Sequence, residues 1–118
     1  MSPAAIVSSA ADLIEGRNAW TKHFTARGPI QIPGRPIDPE KDASCLPSAP
    51  FANQWSALGA IFSVGRKAGL TCADCYQIER DVSRVLGVDR LSDWNIRSDH
   101  SDVVAGLRRA ALALEASA

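Results

Sequence analysis

The chain has 118 residues, of which 46% are hydrophobic and 22% charged. These values are typical of a globular protein and exclude extensive disorder and a coiled coil, and the length suits one domain. Thirteen Lys and Arg residues balance thirteen Asp and Glu residues, which excludes a basic domain that binds nucleic acid through its phosphates. We therefore predict a single domain over residues 1–118 and do not expect a nucleic-acid partner.

Nothing in the sequence indicates a membrane or an export route. The N-terminus lacks the basic and then apolar stretches of a secretory signal, and no apolar run is long enough to span a bilayer. The three cysteines, an odd number, favour reduced thiols over a disulfide framework. We therefore expect a cytoplasmic protein that does not bind a membrane.

The first predicted element is an amphipathic helix. Ser2 and Pro3 suit a helix cap and a first helical position, and Gly16 favours a stop. Between them, apolar residues recur at helical spacing, namely Ile6, Val7, Ala10, Ala11, Leu13 and Ile14.

From Arg17 to Pro50 the density of proline and glycine excludes a long helix. Its pieces 20–24 and 30–32 would suit the strands of a short β-hairpin. We predict that residues 27–50 form an irregular connection within the domain, and such connections often bind partners. Charged side chains in it are therefore candidate binding residues, namely Arg35, Asp38, Glu40 and Lys41. Arg80 and Arg84, which share one face of a later helix, are candidates for binding nucleic acid, although a solvated face is the more common role of such charges.

A second helix is predicted over residues 51–69, in the centre of the core. Gly59 and Gly65 lie inside its pattern rather than in a phosphate-binding loop, and we expect another element to pack closely against them. We expect the core around this helix to contain four aromatic side chains, namely Trp20, Trp55, Phe62 and Trp94. Asn95 should turn its amide toward the backbone of its own connector.

A third helix should begin at Thr71, which forms a capping box with Asp74, and should end at Gly87. A short connector over residues 91–96 leads to a last helix capped by Ser98 or Asp99. The predicted fold is mainly α, with about four helices packed around a central helix. A turn-rich segment that allows a short β-hairpin lies between helices 1 and 2.

Cys72 and Cys75 form a CxxC motif at the start of the third helix, a position that favours thiolates and so suits zinc or a redox pair. A zinc site needs four ligands, and Cys45, His23 and His100 are the remaining candidates, without finger-like spacing. Small buried helix residues are a more common fate of such cysteines. We therefore expect no bound metal and no cofactor.

His100 lies between Asp99 and Asp102, and these are the ingredients of an acid–base pair. The same residue types are typical of a helix N-terminus, where Ser and Asp accept hydrogen bonds from unpaired amides. We interpret the run as a cap and expect the imidazole to face water. A cleft here lined by Trp94 and Arg97 would favour an enzyme.

Four short motifs resemble a known family. They are the first helix ending near Trp20, the turn Gly34–Pro36, the Gly-Ala helix at residues 57–61 and the Trp-Asn pair 94–95. The chain is similar to a family of small uncharacterised proteins from actinobacteria and their phages. It departs from that family at Ser56, where a cysteine is common, and at Ile96, where Asp is common, so the resemblance implies no metal or nucleophile there.

Three functions remain open on the sequence. The leading hypothesis is a non-enzymatic protein that binds and modulates a host protein, as an accessory protein of a phage or mobile element. The resemblance implies such an origin, and the residues lack a nucleophile paired with a base or a cofactor loop. The alternatives are a small enzyme using His100 with Asp99 or Asp102, and a small zinc- or nucleic-acid-binding domain.

Overall fold

The computed structural model describes residues 1–23, 25–30, 38–44, 47–49 and 52–117, with the backbone alone at 29–30 and 38–44. These residues contain five helices and three strands. In chain order they are α1 (Pro3–Glu15), β1 (Ala26–Ile30), β2 (Asp38–Ser44), β3 (Gln54–Trp55), α2 (Ala57–Lys67), α3 (Cys72–Leu86), α4 (Leu91–Arg97) and α5 (His100–Ala116). The predicted mainly α fold with a hairpin after the first helix is confirmed.

The helices share one hydrophobic core. Ser2 caps α1 by accepting a hydrogen bond from the Ala5 amide, and one face of the helix is fully buried, because its apolar residues recur every three or four positions. α1 packs against α5 and α2, and α2 also packs against α3, α4 and β3, which gives α2 a central position. None of the helices within the described residues is long and apolar enough to cross a membrane.

The sheet has the strand order β2-β1-β3, with both pairs antiparallel. Its hairpin uses residues 26–30 and 38–44 rather than 20–24 and 30–32. β2 contains Pro39, Glu40, Lys41 and Asp42, residue types that are rare in strands. Pairing with β1 therefore outweighs local preference, and the register shifts between Pro29 and Ile30.

α2 begins at residue 57, six residues later than predicted, and Phe51 lies outside the described residues. Ser56 is the N-cap and its hydroxyl accepts a hydrogen bond from the Gly59 amide at 3.1 Å. Trp55 belongs to β3 rather than to the helix because its backbone pairs with Ala26. The helix therefore starts where a good cap follows a paired strand.

The predicted close packing against the two glycines of α2 is confirmed. A Cβ atom on Gly59 would lie 1.7 Å from the carbonyl oxygen of Thr25, which precedes β1. A Cβ atom on Gly65 would lie 2.7 Å from the sulfur of Cys75 on α3. Each glycine thus lets one neighbouring element approach the helix.

The start and end of α3 agree with the prediction. The capping box of Thr71 and Asp74 is present, and Gly87 ends the helix in the left-handed conformation with φ 70°. The hydrogen bond from the Thr71 amide lowers the pKa of the Asp74 carboxyl. The predicted connector over residues 91–96 is instead the helix α4.

Asn95 on α4 links three parts of the chain. Its side-chain oxygen accepts hydrogen bonds from Nε1 of Trp20 at 2.8 Å and from the Ala57 amide at 3.0 Å. Its side-chain nitrogen donates to the carbonyls of Thr21 at 3.2 Å and Lys22 at 3.1 Å. The prediction that this amide bonds to the backbone of its own connector is wrong. Groups on distant segments occupy both the acceptor and the donor positions of the amide.

The aromatic side chains differ in burial. Trp55 is buried in the core, while Trp20 and Trp94 are half-buried and pack against it. Phe62 is half-buried and meets the exposed ring of Tyr76 edge-on at 4.8 Å between ring centroids. Trp20 and Trp55 are neighbours through a backbone bridge.

Replacing Trp94 by alanine should lower the free energy of unfolding by about 2–3 kcal/mol, less than for a fully buried indole. A Cβ atom on Gly106 would lie 2.6 Å from the Trp94 ring, so the indole fills the space between α4 and α5. Chemical denaturation measures the change, and Leu112→Ala is the control because Leu112 is 69% exposed. Wild-type stability in Trp94→Ala together with lost partner binding would instead place the indole in an interface.

Candidate functional site

The outer edge of β2 is a candidate binding site. Among the described residues, only β1 pairs with this strand. The opposite edge of the sheet is covered, since the Thr21 amide donates to the Trp55 carbonyl at 3.1 Å and the Trp55 amide donates to Ala19 at 2.9 Å. The described sheet therefore has one covered edge and one open edge, and an open edge presents unpaired backbone groups.

The hydrogen bonds of β1 show which of its residues face β2. The carbonyls of Thr25 and Arg27 accept hydrogen bonds from the amides of Ser56 at 3.0 Å and Asn53 at 2.9 Å, on the β3 side. Successive residues of a strand direct their backbone groups to opposite sides. Gly28 therefore directs its amide and carbonyl toward β2.

This alternation fixes which groups of β2 point outward. Gly28 lies opposite Ala43, so Ala43 bonds inward to β1 and its two neighbours, Asp42 and Ser44, direct their amides and carbonyls to the open edge. Pro29 lies opposite Asp42. An amide at position 29 would face away from β2, so the proline removes no hydrogen bond between β1 and β2. The amides of Asp42 and Ser44 thus point away from β1, and no strand within the described residues pairs with them.

The predicted binding residues do not lie in one place. Asp38, Glu40 and Lys41 are in β2, and Arg35 lies outside the described residues. β2 contains three carboxylates and one lysine, so its sequence is acidic. A partner segment that pairs with β2 would complement this strand best if the segment were positively charged.

The two arginines of α3 are exposed and engaged with their own helix. Arg80 donates to the side-chain oxygen of Gln77 at 2.9 Å, and Arg84 lies 3.4 Å from Asp81. Pairs of this kind at helical spacing are typical of a solvated face. These contacts within α3 do not indicate that the two arginines share a binding site with β2.

The imidazole of His100, predicted to face water, is half-buried and is held by two contacts. Its Nε2 donates to the carbonyl of Ile14, and its ring stacks on Trp20 with 5.4 Å between ring centroids. In the described residues neither Asp99 nor Asp102 forms a hydrogen bond or ion pair with this imidazole. Asp99 occupies the predicted N-cap position of α5. Its side chain does not form the capping hydrogen bond that we expected there.

A cavity of about 440 Å³ lies beside His100 at the start of α5. Its lining includes Glu15 and Arg108 but neither Trp94 nor Arg97, so it is not the cleft that would favour an enzyme. Arg108 already contacts Asp12 at 3.0 Å and Glu15 at 2.8 Å. The hydrogen bond to Asp12 is the largest cause that raises the pKa of Arg108. The positive charge of Arg108 is thus already balanced by two carboxylates.

The CxxC motif lies in the first turn of α3. Cys72 is exposed and Cys75 is buried, and both are free thiols. His23 is exposed, and Cys45 lies outside the described residues. Within the part of the chain that the structure describes, no three His, Cys, Asp or Glu side chains are grouped as metal ligands.

The model of one protein family matches residues 1–113, almost the whole chain. The chain belongs to DUF6197, a family of unknown function. No curated protein and no solved structure matches it. This match confirms the prediction that the chain belongs to an uncharacterised family.

Among the motifs behind the resemblance, the turn Gly34–Pro36 lies outside the described residues of this DUF6197 chain, and the helix and the Trp-Asn pair have structural roles. Ser56 caps α2, and residues 57–61 form the first turns of that helix. Trp94 fills space beside α5 and Asn95 holds three segments together. Ile96 is exposed on α4.

Sequence reasoning placed residues 38–44 in a candidate binding segment but did not predict the direction of their backbone groups. The outward amides of Asp42 and Ser44 follow only from the register with β1. The one local signal is the alternation of acidic residues at 38, 40 and 42, which suits a strand with one solvated face. Proline at position 39 masks that signal.

Proposed function

We propose that this chain is a non-enzymatic protein-interaction protein that receives an extended segment of a partner along the open edge of β2. The observation that supports this most is the pair of outward backbone positions at Asp42 and Ser44. An added strand gains main-chain hydrogen bonds there, and neighbouring side chains provide specificity. The acidic sequence of β2 favours a basic segment.

We further propose a host protein as the partner and the cytoplasm as the location. In this proposal the chain is an accessory protein of a phage or mobile element and modulates a host protein, for example one of host defence. The support is the resemblance to actinobacterial and phage proteins. The binding residues proposed are Asp38, Glu40 and Lys41, with Arg35 beside them in sequence.

The matched variants Asp42→Pro and Asp42→Ala test the edge. Both remove the carboxylate, but only proline removes the outward amide, and it spares the hydrogen bonds to β1. A protein captured from host lysate by the wild-type chain and identified by mass spectrometry should bind Asp42→Pro about tenfold or more weakly than Asp42→Ala. Calorimetric titration measures both affinities, and thermal unfolding checks that both variants fold.

Equal affinity of the two variants for that protein would contradict the proposed edge. Capture through Arg80 and Arg84 would show instead as a loss of binding in charge-reversed variants of α3 with β2 intact. A host protein without a basic extended segment at the interface would contradict the proposed chemistry of the partner.

A further inference from the structure

A second feature of the fold is independent of the proposed interaction edge. Cys72 is the first residue of α3 and is exposed, while Cys75, three residues later, is fully buried. Residues three apart on a helix lie on the same side, one turn apart. The two thiols therefore differ in access but lie next to each other.

The buried thiol lies in a space that the fold keeps open for it. Gly65 of α2 faces Cys75, and a Cβ atom there would lie 2.7 Å from the sulfur. Burial is the largest cause that raises the pKa of the Cys75 thiol. Cys75 is therefore shielded from solution, while Cys72 is open to reagents in solution.

A capping box between Thr71 and Asp74 holds the first turn of α3. The Thr71 hydroxyl accepts from the Asp74 amide at 3.1 Å, and the Asp74 carboxylate accepts from the Thr71 amide at 3.0 Å. This box encloses Cys72 and keeps it at the start of the helix. A helix start also has the fewest internal hydrogen bonds, so the turn can adjust locally.

From this geometry we infer that Cys72 and Cys75 are a redox-active dithiol that exchanges with small or protein disulfides. Cys72 is the attacking residue because it is exposed. Cys75 is the resolving residue because it becomes reachable only from the sulfur of Cys72. No metal or bound cofactor takes part, and the oxidant is a disulfide such as oxidised glutathione.

The exchange has two balanced steps. The Cys72 sulfur, after losing its proton, attacks one sulfur of oxidised glutathione; a mixed disulfide forms and one glutathione leaves, taking up the proton. The Cys75 sulfur then attacks the Cys72 sulfur, forms the Cys72–Cys75 disulfide and releases the second glutathione, which takes up the proton of Cys75. Two protein thiols are oxidised and one disulfide is reduced to two thiols.

The helix geometry indicates a disulfide that is easily reduced. Helix residues three apart have Cβ atoms about 5–6 Å apart, whereas a relaxed disulfide needs about 3.5–4.5 Å. The first turn must therefore tighten, and the sulfur of Cys75 must move away from Gly65. Strain of this kind is typical of labile disulfides rather than structural ones.

Oxidation by glutathione tests the assignment directly. A Cys45→Ser background leaves only the two thiols of interest, and the reduced protein is incubated with oxidised glutathione, quenched by alkylation and mapped by mass spectrometry. The parent should form the Cys72–Cys75 disulfide. Adding Cys75→Ser should instead trap one glutathione on Cys72, because the resolving thiol is missing.

The reverse variant separates access from reactivity. With Cys72→Ser, the buried Cys75 should react about tenfold or more slowly with oxidised glutathione than Cys72 does in the Cys75→Ser variant. Circular dichroism confirms that each variant keeps its helices, and reduced glutathione should return the parent to two thiols. A parent that keeps both thiols, or equal reaction rates at the two cysteines, would overturn the inference.

Discussion

Replacing Gly59 by alanine is expected to lower the free energy of unfolding by about 3–5 kcal/mol, a large part of the roughly 5–15 kcal/mol of a small domain. The added methyl carbon would lie 1.7 Å from the carbonyl oxygen of Thr25 and 2.7 Å from its carbonyl carbon. These atoms are backbone and are held by the hydrogen bond from the Ser56 amide at 3.0 Å. Relief therefore requires that β1 moves away from α2.

The matched control is Gly16→Ala. Gly16 has φ −61°, and a Cβ atom there would meet only the Cβ of Ala19 at 3.8 Å, an ordinary contact. This variant should keep wild-type stability or gain up to about 1 kcal/mol. Urea denaturation of both proteins measures the difference. Similar midpoints for the two variants would show that β1 does not pack on α2 as closely as the structure indicates.

Replacing Asn95 by alanine is expected to lower the free energy of unfolding by about 3–4 kcal/mol. Asn95 is only 1% exposed, so water cannot replace the four hydrogen bonds that its amide makes with Trp20, Ala57, Thr21 and Lys22. The Ala57 amide is at the start of α2, where a helix has no partner of its own. Loss of Asn95 therefore leaves that helix start unpaired in a buried position.

Two further variants of this kind make the measurement specific. Asn53→Ala removes an exposed side chain and should change the stability by less than about 0.5 kcal/mol. Asn95→Asp keeps the shape but directs a carboxylate at the carbonyls of Thr21 and Lys22, so it should also destabilise. Wild-type stability in Asn95→Asp would contradict the donor role of the amide.

The helix ends were predictable from the sequence because they depend on neighbours in the chain. Ser2 with Pro3 starts α1, Thr71 with Asp74 starts α3, and Gly87 ends it. Caps and stops act within one turn, so the printed sequence contains all that they need. The start of α2 was misplaced because the backbone of β3 pairs with β1, which is distant in sequence.

The parts that sequence reasoning missed depend on distant partners. β2 forms despite proline and charged residues because β1 supplies its hydrogen bonds. His100 suggested a cap or a dyad, yet its ring contacts Trp20 and the carbonyl of Ile14. The CxxC spacing was visible in the sequence, but the contrast between exposed Cys72 and buried Cys75 is visible only in the fold.

The position of Asn95 has a consequence for the order of folding. Its partners are 38 to 75 positions away along the chain, whereas the caps of α1 and α3 join residues three apart. Contacts between distant residues cost more loop-closure entropy and tend to form after local ones. We therefore expect the hydrogen bonds of Asn95 to form late in folding, so that Asn95→Ala should accelerate unfolding more than it slows folding.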